Sequence, residues 1–223
     1  MTKLYLIGDI HGDFRFLSRV VYGLRPNLDA GDSILQVGDI GFWQGLRSRY
    51  EPSLSPVYFI DGNHDDVAAL INSPTVEPWP QLRYVRRGDM LVTDHARVLC
   101  VGGASSIDRA FRNHRIGLGA WFEEEDVTDD DVAWALEQAK RHGGVDLLVT
   151  HAVPLSVVRR HWPPLDFKEW KLPLGWKDVS AERIDQLWKA LDKPPLVCGH
   201  MHRSVQDGTC RVLDINEVYA WER

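Results

Sequence analysis

Five times along this chain a short apolar run of strand length delivers Asp, Asn or His at its C-terminal end. Residues 4–7 run into Gly8-Asp9-Ile10-His11-Gly12, and residues 34–37 into Gly38-Asp39. Residues 57–60 lead through Asp61 into Gly62-Asn63-His64-Asp65, residues 147–149 into Thr150-His151, and residues 196–198 into Gly199-His200-Met201-His202. Apolar runs this short, closed by turn residues, are buried strands. Open α/β sheets gather their ligands at the C-terminal ends of such strands. Five of the nine histidines stand at these ends, a concentration that unrelated surface turns would not produce.

The spaces between the runs read as helices and loops. Phe14, Leu17, Val20, Val21 and Leu24 recur at helical spacing, with Asp13 as N-cap and Pro26 as stop. A short helix is expected at 67–71 and a clear one at 129–142, whose acidic first turn and basic last turn complement the helix dipole. Another is expected from Ser180 to about Leu191. Residues 46–56 read as loop or short helix, and 72–80, with its prolines, as loop. Runs at 82–85, 90–93 and 98–101 suggest an antiparallel meander turned by Gly88-Asp89, and short strands are expected near Val205 and at 211–215. Residues 102–126 form a long polar connection, and 154–177 a Trp- and Pro-rich stretch without a clean period. No repeat or composition break divides the chain, so residues 1–223 read as a single domain.

The formal net charge of −6 argues against bulk nucleic-acid binding. No apolar run approaches the roughly 18 residues of a membrane span, and Met1 leads into the first strand without a signal-peptide pattern. Cys100, Cys198 and Cys210 lack metal-ligand spacing and read as buried free thiols. A cytoplasmic protein is expected.

The candidate metal ligands are Asp9, His11, Asp39, Asn63, His151, His200 and His202. This oxygen and imidazole mixture suits borderline divalent ions. Seven ligands exceed one tetrahedral site and suit two ions sharing a carboxylate. Two such ions can hold a bridging hydroxide and neutralise a phosphoryl group during in-line displacement. In Asp-x-His and His-x-His, residues two apart share a face of an extended segment.

The ordered set Gly-Asp-x-His-Gly, Gly-Asp, Gly-Asn-His-Asp, Thr-His and Gly-His-x-His, spanning 8–202, resembles the five motifs of calcineurin-like metallophosphoesterases. The resemblance implies a four-layer α/β/β/α sandwich of two mixed sheets flanked by helices, with the site at the strand ends. It implies two divalent ions, Mn²⁺ first, with Fe, Zn, Ni or Mg as alternatives. Asp9, His11 and His202 would hold one, Asn63, His151 and His200 the other, and Asp39 would bridge. His64 would act as general acid or phosphate contact, with Asp65 orienting its imidazole. The chain departs from the protein Ser/Thr phosphatase branch. Gly38-Asp39-Ile40-Gly41 lacks that branch's arginine, and Asp65 replaces its glutamate. It is more similar to small bacterial and phage members, among which nucleotide phosphodiesterases occur.

Other residues complete the expectation. Arg109, ahead of Arg112, is the candidate phosphate-gripping cation, alongside Asn63 and His64 as substrate contacts. Phe42 and Trp43 read equally as core or as a base-stacking pair. Trp162, Trp170 and Trp176 are expected to anchor an irregular loop on the core rather than cover the pocket. His95, His114, His142 and His161 are expected to be exposed, and the acidic runs 123–126 and 129–131 to be helix-start and surface charge. The expected activity is hydrolysis of nucleotide-type phosphodiesters, linear or cyclic. The alternatives are a phosphomonoesterase, protein or dinucleoside polyphosphate phosphatase on the same site, and a nuclease or a noncatalytic scaffold.

Overall fold

The computed structural model describes residues 3–24, 28, 32–43, 56–73, 77, 81–93, 96–112 and 120–223. Pro26, the 46–55 segment, His95, His114 and most of the 74–80 loop lie outside them.

The chain runs β1 (Lys3–Ile7), α1 (Phe14–Leu24), β2 (Ser33–Gln36), β3 (Val57–Phe59), α2 (Val67–Ile71), β4 (Leu82–Tyr84), β5 (Met90–Val92) and β6 (Arg97–Val101). It continues α3 (Asp129–Arg141), β7 (Leu147–Thr150), α4 (Leu155–His161), α5 (Val179–Ala190), β8 (Leu196–Cys198), β9 (Val205–Asp207), β10 (Cys210–Val212) and β11 (Val218–Glu222). One sheet has the order β11-β1-β2-β3-β4, the other β5-β6-β7-β8-β10-β9. In the first, β1 to β4 are parallel and β11 closes the edge antiparallel to β1.

Strand alternation builds the layers. Leu4 and Leu6 join Val98, Cys100, Leu147 and Val149 in an apolar cluster between the sheets. Their neighbours Tyr5 and Ile7 face the other way and pack with Phe14, Leu17 and Val21 of α1. Leu99 and Val101 likewise face outward, onto Ala135, Ile184 and Leu187 of α3 and α5. Two-residue periodicity thus sends each strand's apolar atoms into two separate cores, each fully buried Leu or Ile side chain contributing about 1.5–3 kcal/mol. The result is the expected α/β/β/α sandwich.

Local chemistry sets the helix starts. The Asp13 carboxylate accepts from the Phe16 amide at 2.9 Å, and Asp66 caps α2. Thr128 and Asp131 form a reciprocal capping box at α3. At α5 the cap is Asp178, which accepts from the Ala181 amide, two residues ahead of the expected Ser180.

Three expectations are corrected. The 82–101 region is not a meander: β4 returns through α2 to pair parallel with β3, and the chain then crosses to the second sheet, where β5 pairs antiparallel with β6. The Trp- and Pro-rich stretch contains α4, Leu155–His161, which its surrounding prolines and tryptophans leave without a clean period. The end of the chain supplies β11, which no strong alternation of buried residues announces. The three cysteines are buried and free, and no described helix is long and apolar enough to cross a membrane.

Candidate active site

All seven expected ligands come together where β1, β2, β3, β7 and β8 end. Four of them, His11, Asp39, His200 and His202, sit at positive φ between 43° and 70°. Non-glycine residues seldom adopt this left-handed backbone, and such strain collects at functional sites. The chain also approaches itself closely here. A Cβ on Gly62 would overlap the Asp39 carboxylate, and one on Gly199 would overlap that of Asp9. Glycine at these positions is therefore required by space.

One half of the site is Asp9, His11, Asp39 and His202, whose ligand atoms all lie within 4.8 Å of one another. His11 Nε2 faces His202 Nε2 at 2.9 Å, and His202 Nε2 stands 3.2 Å from Asp9 Oδ2. Asp39 Oδ2 is buried and has no hydrogen-bond partner among the described residues. A buried, unpaired carboxylate oxygen is costly unless something positive meets it.

The other half is built around His151. Its Nδ1 lies 3.0 Å from the Val37 carbonyl, which fixes the ring with Nδ1–H as donor and Nε2 facing inward. That Nε2 is 3.2 Å from Asn63 Oδ1 and 3.4 Å from Asp39 Oδ1. The Asn63 Nδ2 donates to Ser106 Oγ, so the amide oxygen is the atom turned inward. The His200 ring centroid is 5.2 Å from that of His151. Three acceptors pointed at one another fit a shared cation.

The charges agree. Burial opposes ionisation of Asp39, yet the imidazoles of His151, His64 and His11 hold its carboxyl well below the usual carboxylate range. Burial disfavours a charged His151, but Asp39 and Asp9 push it up to about 10. Burial, reinforced by His151, pushes His200 down to about 3. The hydrogen bond to Asp9 raises His202. The two carboxylates create a demand for positive charge at the centre, which divalent ions would meet.

Around this centre, some of the expected residues lie close and others are turned elsewhere. His64 donates its backbone amide to Asp39 Oδ1 at 2.8 Å, and its ring lies 5.4 Å from that of His11. Burial lowers its pKa. Asp65 does not reach the His64 imidazole: its carboxylate accepts instead from the amides of Gly41, Phe42 and Gly62 at 2.8–2.9 Å. The reason is local, since the turn leaves those three N–H groups pointing at one buried spot. Burial, with the Asp39 charge beside it, pushes the Asp65 carboxyl up to about 7. Arg109 rests its guanidinium 5.7 Å from the rings of both Trp121 and Trp176. Arg112 is the arginine that reaches the site, donating to the Asn63 carbonyl at 2.7 Å and to Ser106 Oγ at 2.6 Å. Phe42 and Trp43 are buried, Trp43 against Phe122, so both serve the core.

Sequence reasoning missed two supports. Glu125, expected on the surface, is buried and accepts from the Ser106 amide at 3.1 Å. Asp61 binds Arg87 and Tyr84 in the interior directly before the Asn63 turn. Asp61 is marked only by its place before Gly62 and Glu125 only by its acidic run, and neither mark separates a buried carboxylate from an exposed one.

A cavity of about 910 Å³ opens beside this centre, lined at one end by Asn63, His64, His200 and His202. Trp162, Trp170 and Trp176 line its far wall. Trp162 also packs on the α3–α5 core, so the stretch both anchors and covers.

A two-sheet sandwich with Asp, His and Asn side chains converging at its strand ends is a fold with a candidate site for divalent metal. A family model for the calcineurin-like phosphoesterases matches residues 2–204, and the chain belongs to that family. A crystal structure with 11% identity superposes with a TM-score of 0.54, covering 99% of this chain and 98% of its own, which shows the shared fold. No curated protein sequence matches the chain.

Proposed function

We propose that the protein is a dinuclear phosphodiesterase acting on nucleotide-type diesters. The observation that carries this reading is the geometry of Asp39. Its Oδ2 lies 3.9 Å from His11 Nδ1, in the cluster with Asp9 and His202, while its Oδ1 stands 3.4 Å from His151 Nε2 and accepts from the His64 amide. Asp39 would bridge two divalent ions, Mn²⁺ first, held by Asp9, His11 and His202 on one side and Asn63, His151 and His200 on the other. When bound, the ions would make a water nucleophilic at neutral pH and neutralise phosphoryl charge.

The chain's own groups would do the rest. Asn63 and His64 would contact the phosphoryl group, and His64, beside the ligands rather than among them, would hold a proton for the leaving oxygen. Asp65 would fix the turn that presents both, through backbone amides. Arg112 would brace Asn63, and Arg109 would hold Trp176 in the cavity wall. The large cavity favours diesters, because a second organic substituent then has somewhere to go.

The test is hydrolysis of bis(p-nitrophenyl) phosphate beside p-nitrophenyl phosphate, using chelator-treated protein with Mn²⁺, Ni²⁺, Zn²⁺ or Mg²⁺ restored. Diester turnover is expected to return with metal and to fall at least a hundred-fold in Asp39→Asn. Turnover of the monoester alone would redirect the assignment to a phosphatase.

A further inference from the structure

The cavity beyond the metal ligands has a composition that the catalytic centre does not require. Among its described lining residues are Trp162, Phe167, Trp170 and Trp176. The three tryptophans are held by their surroundings. Arg203 lies 5.9 Å from the Trp162 ring and Arg109 5.7 Å from the Trp176 ring. Lys171 sits 4.6 Å from Phe111, which packs edge-on to Trp170 at 6.4 Å. Aromatic walls fixed in this way offer flat apolar surface at little entropic cost.

The charge is equally specific. Among its described lining residues, five are carboxylates: Asp108, Asp166, Glu169, Asp178 and Glu182. Only Arg159 and Lys177 oppose them among its described lining residues. Asp108 pairs with Arg112, Asp166 accepts from two backbone amides, and Asp178 caps α5. Glu169 and Glu182 have no side-chain hydrogen bond or ion pair among the described residues, which leaves them as acceptors for a ligand. A polyphosphate tail entering here would meet an excess of like charge.

We propose that this cavity is the subsite for an aminated nucleobase attached to a single phosphoester. The base stacks on the tryptophan wall, and its exocyclic amino group donates to Glu169 or Glu182. The phosphoryl group stays at the strand ends, beside Asn63 and His64. Further phosphates are rejected, which excludes dinucleoside polyphosphates. The proposal rests on the phosphodiesterase reading but concerns a separate set of residues.

The experiment has a binding arm and a turnover arm, both on Mn²⁺-loaded protein. Calorimetric titration compares AMP, UMP, ADP and ribose 5-phosphate. AMP is expected to bind at least ten-fold more tightly than each of the other three. In the Glu169→Gln, Glu182→Gln double variant, the gaps between AMP and UMP and between AMP and ADP are expected to narrow at least three-fold. Both residues lie on the surface or half exposed, so the variant folds. The turnover arm compares the p-nitrophenyl esters of AMP and of methanol phosphate. Trp170→Ala is expected to lower kcat/KM for the AMP ester at least ten-fold more than for the methyl ester. AMP binding no tighter than ribose 5-phosphate, or gaps unmoved by the double variant, overturns the subsite. Methyl-ester hydrolysis with no preference for the AMP ester would also overturn it while leaving the phosphodiesterase reading intact. The expected AMP binding pattern without hydrolysis of any ester would retain the subsite and overturn the phosphodiesterase reading.

Discussion

His64 is the residue whose role the geometry separates most sharply from its neighbours. Its backbone is tied to Asp39, while its ring stands beside His11 rather than within the ligand cluster. A proton donor matters most when the leaving oxygen is a poor one. His64→Ala is therefore expected to slow diesters with alkyl leaving groups by about 10²–10³-fold. Diesters that expel p-nitrophenolate, which needs no proton, are expected to lose far less. Paired kcat measurements on the two substrate types check this, and equal losses would remove the general-acid role. At this scale the sequence was informative about the ligands, because each follows a strand whose apolar run marks it. It was uninformative about which groups support them. Asp65 lies next to His64 in sequence yet turns to three amides, since side-chain direction in an irregular turn follows backbone orientation rather than adjacency. Arg109 and Arg112 are alike in type and three residues apart, and only the fold sends one to the indoles and the other to Asn63.

At the scale of elements, the connection after β6 carries the support for the Asn63 turn. Ser106 receives the Asn63 amide and Arg112, and Glu125 holds the Ser106 amide in turn. Burial pushes the Glu125 carboxyl up to about 8, even with Arg112 at 3.5 Å. The folded protein therefore keeps this proton through the window from about 4.5, the ordinary value, to about 8. The unfolded chain has already lost it, so the native state binds more protons there and stability falls as pH rises. Urea unfolding of the wild type and Glu125→Gln across this window is expected to show the wild type losing stability relative to the variant. Parallel profiles would contradict the buried, protonated carboxyl. The helices α1, α2, α3 and α5 were legible from their apolar spacing, whereas α4, set among prolines and tryptophans, was not. The partners of β4 and β5 were not, because two adjacent short strands carry no local mark of which sheet each will join.

For the whole molecule, the decisive fact is that the site belongs to neither sheet alone. Asp9, His11, Asp39 and Asn63 follow strands of the first sheet, and His151, His200 and His202 follow strands of the second. The order of motifs along the chain made this convergence readable, since each marks the end of a parallel strand. The edge strand β11 was not readable, since none of its residues is buried and no apolar run marks it. A site shared between sheets exists only when both are folded and packed, so metal binds the native chain and has no preformed site in the unfolded one. Binding then stabilises the entire sandwich by mass action, about 2.7 kcal/mol for one site at a hundred-fold excess over its dissociation constant. For a chain of this size that is a rise in Tm of roughly 5–10 °C. Calorimetric scans of chelator-treated protein with and without Mn²⁺ measure it. Asp39→Asn is expected to lose most of the rise, because its carboxylate faces both halves of the site. An equal rise in that variant would place the stabilising metal elsewhere, and no rise in the wild type would mean that the two sheets hold together without help from the ions.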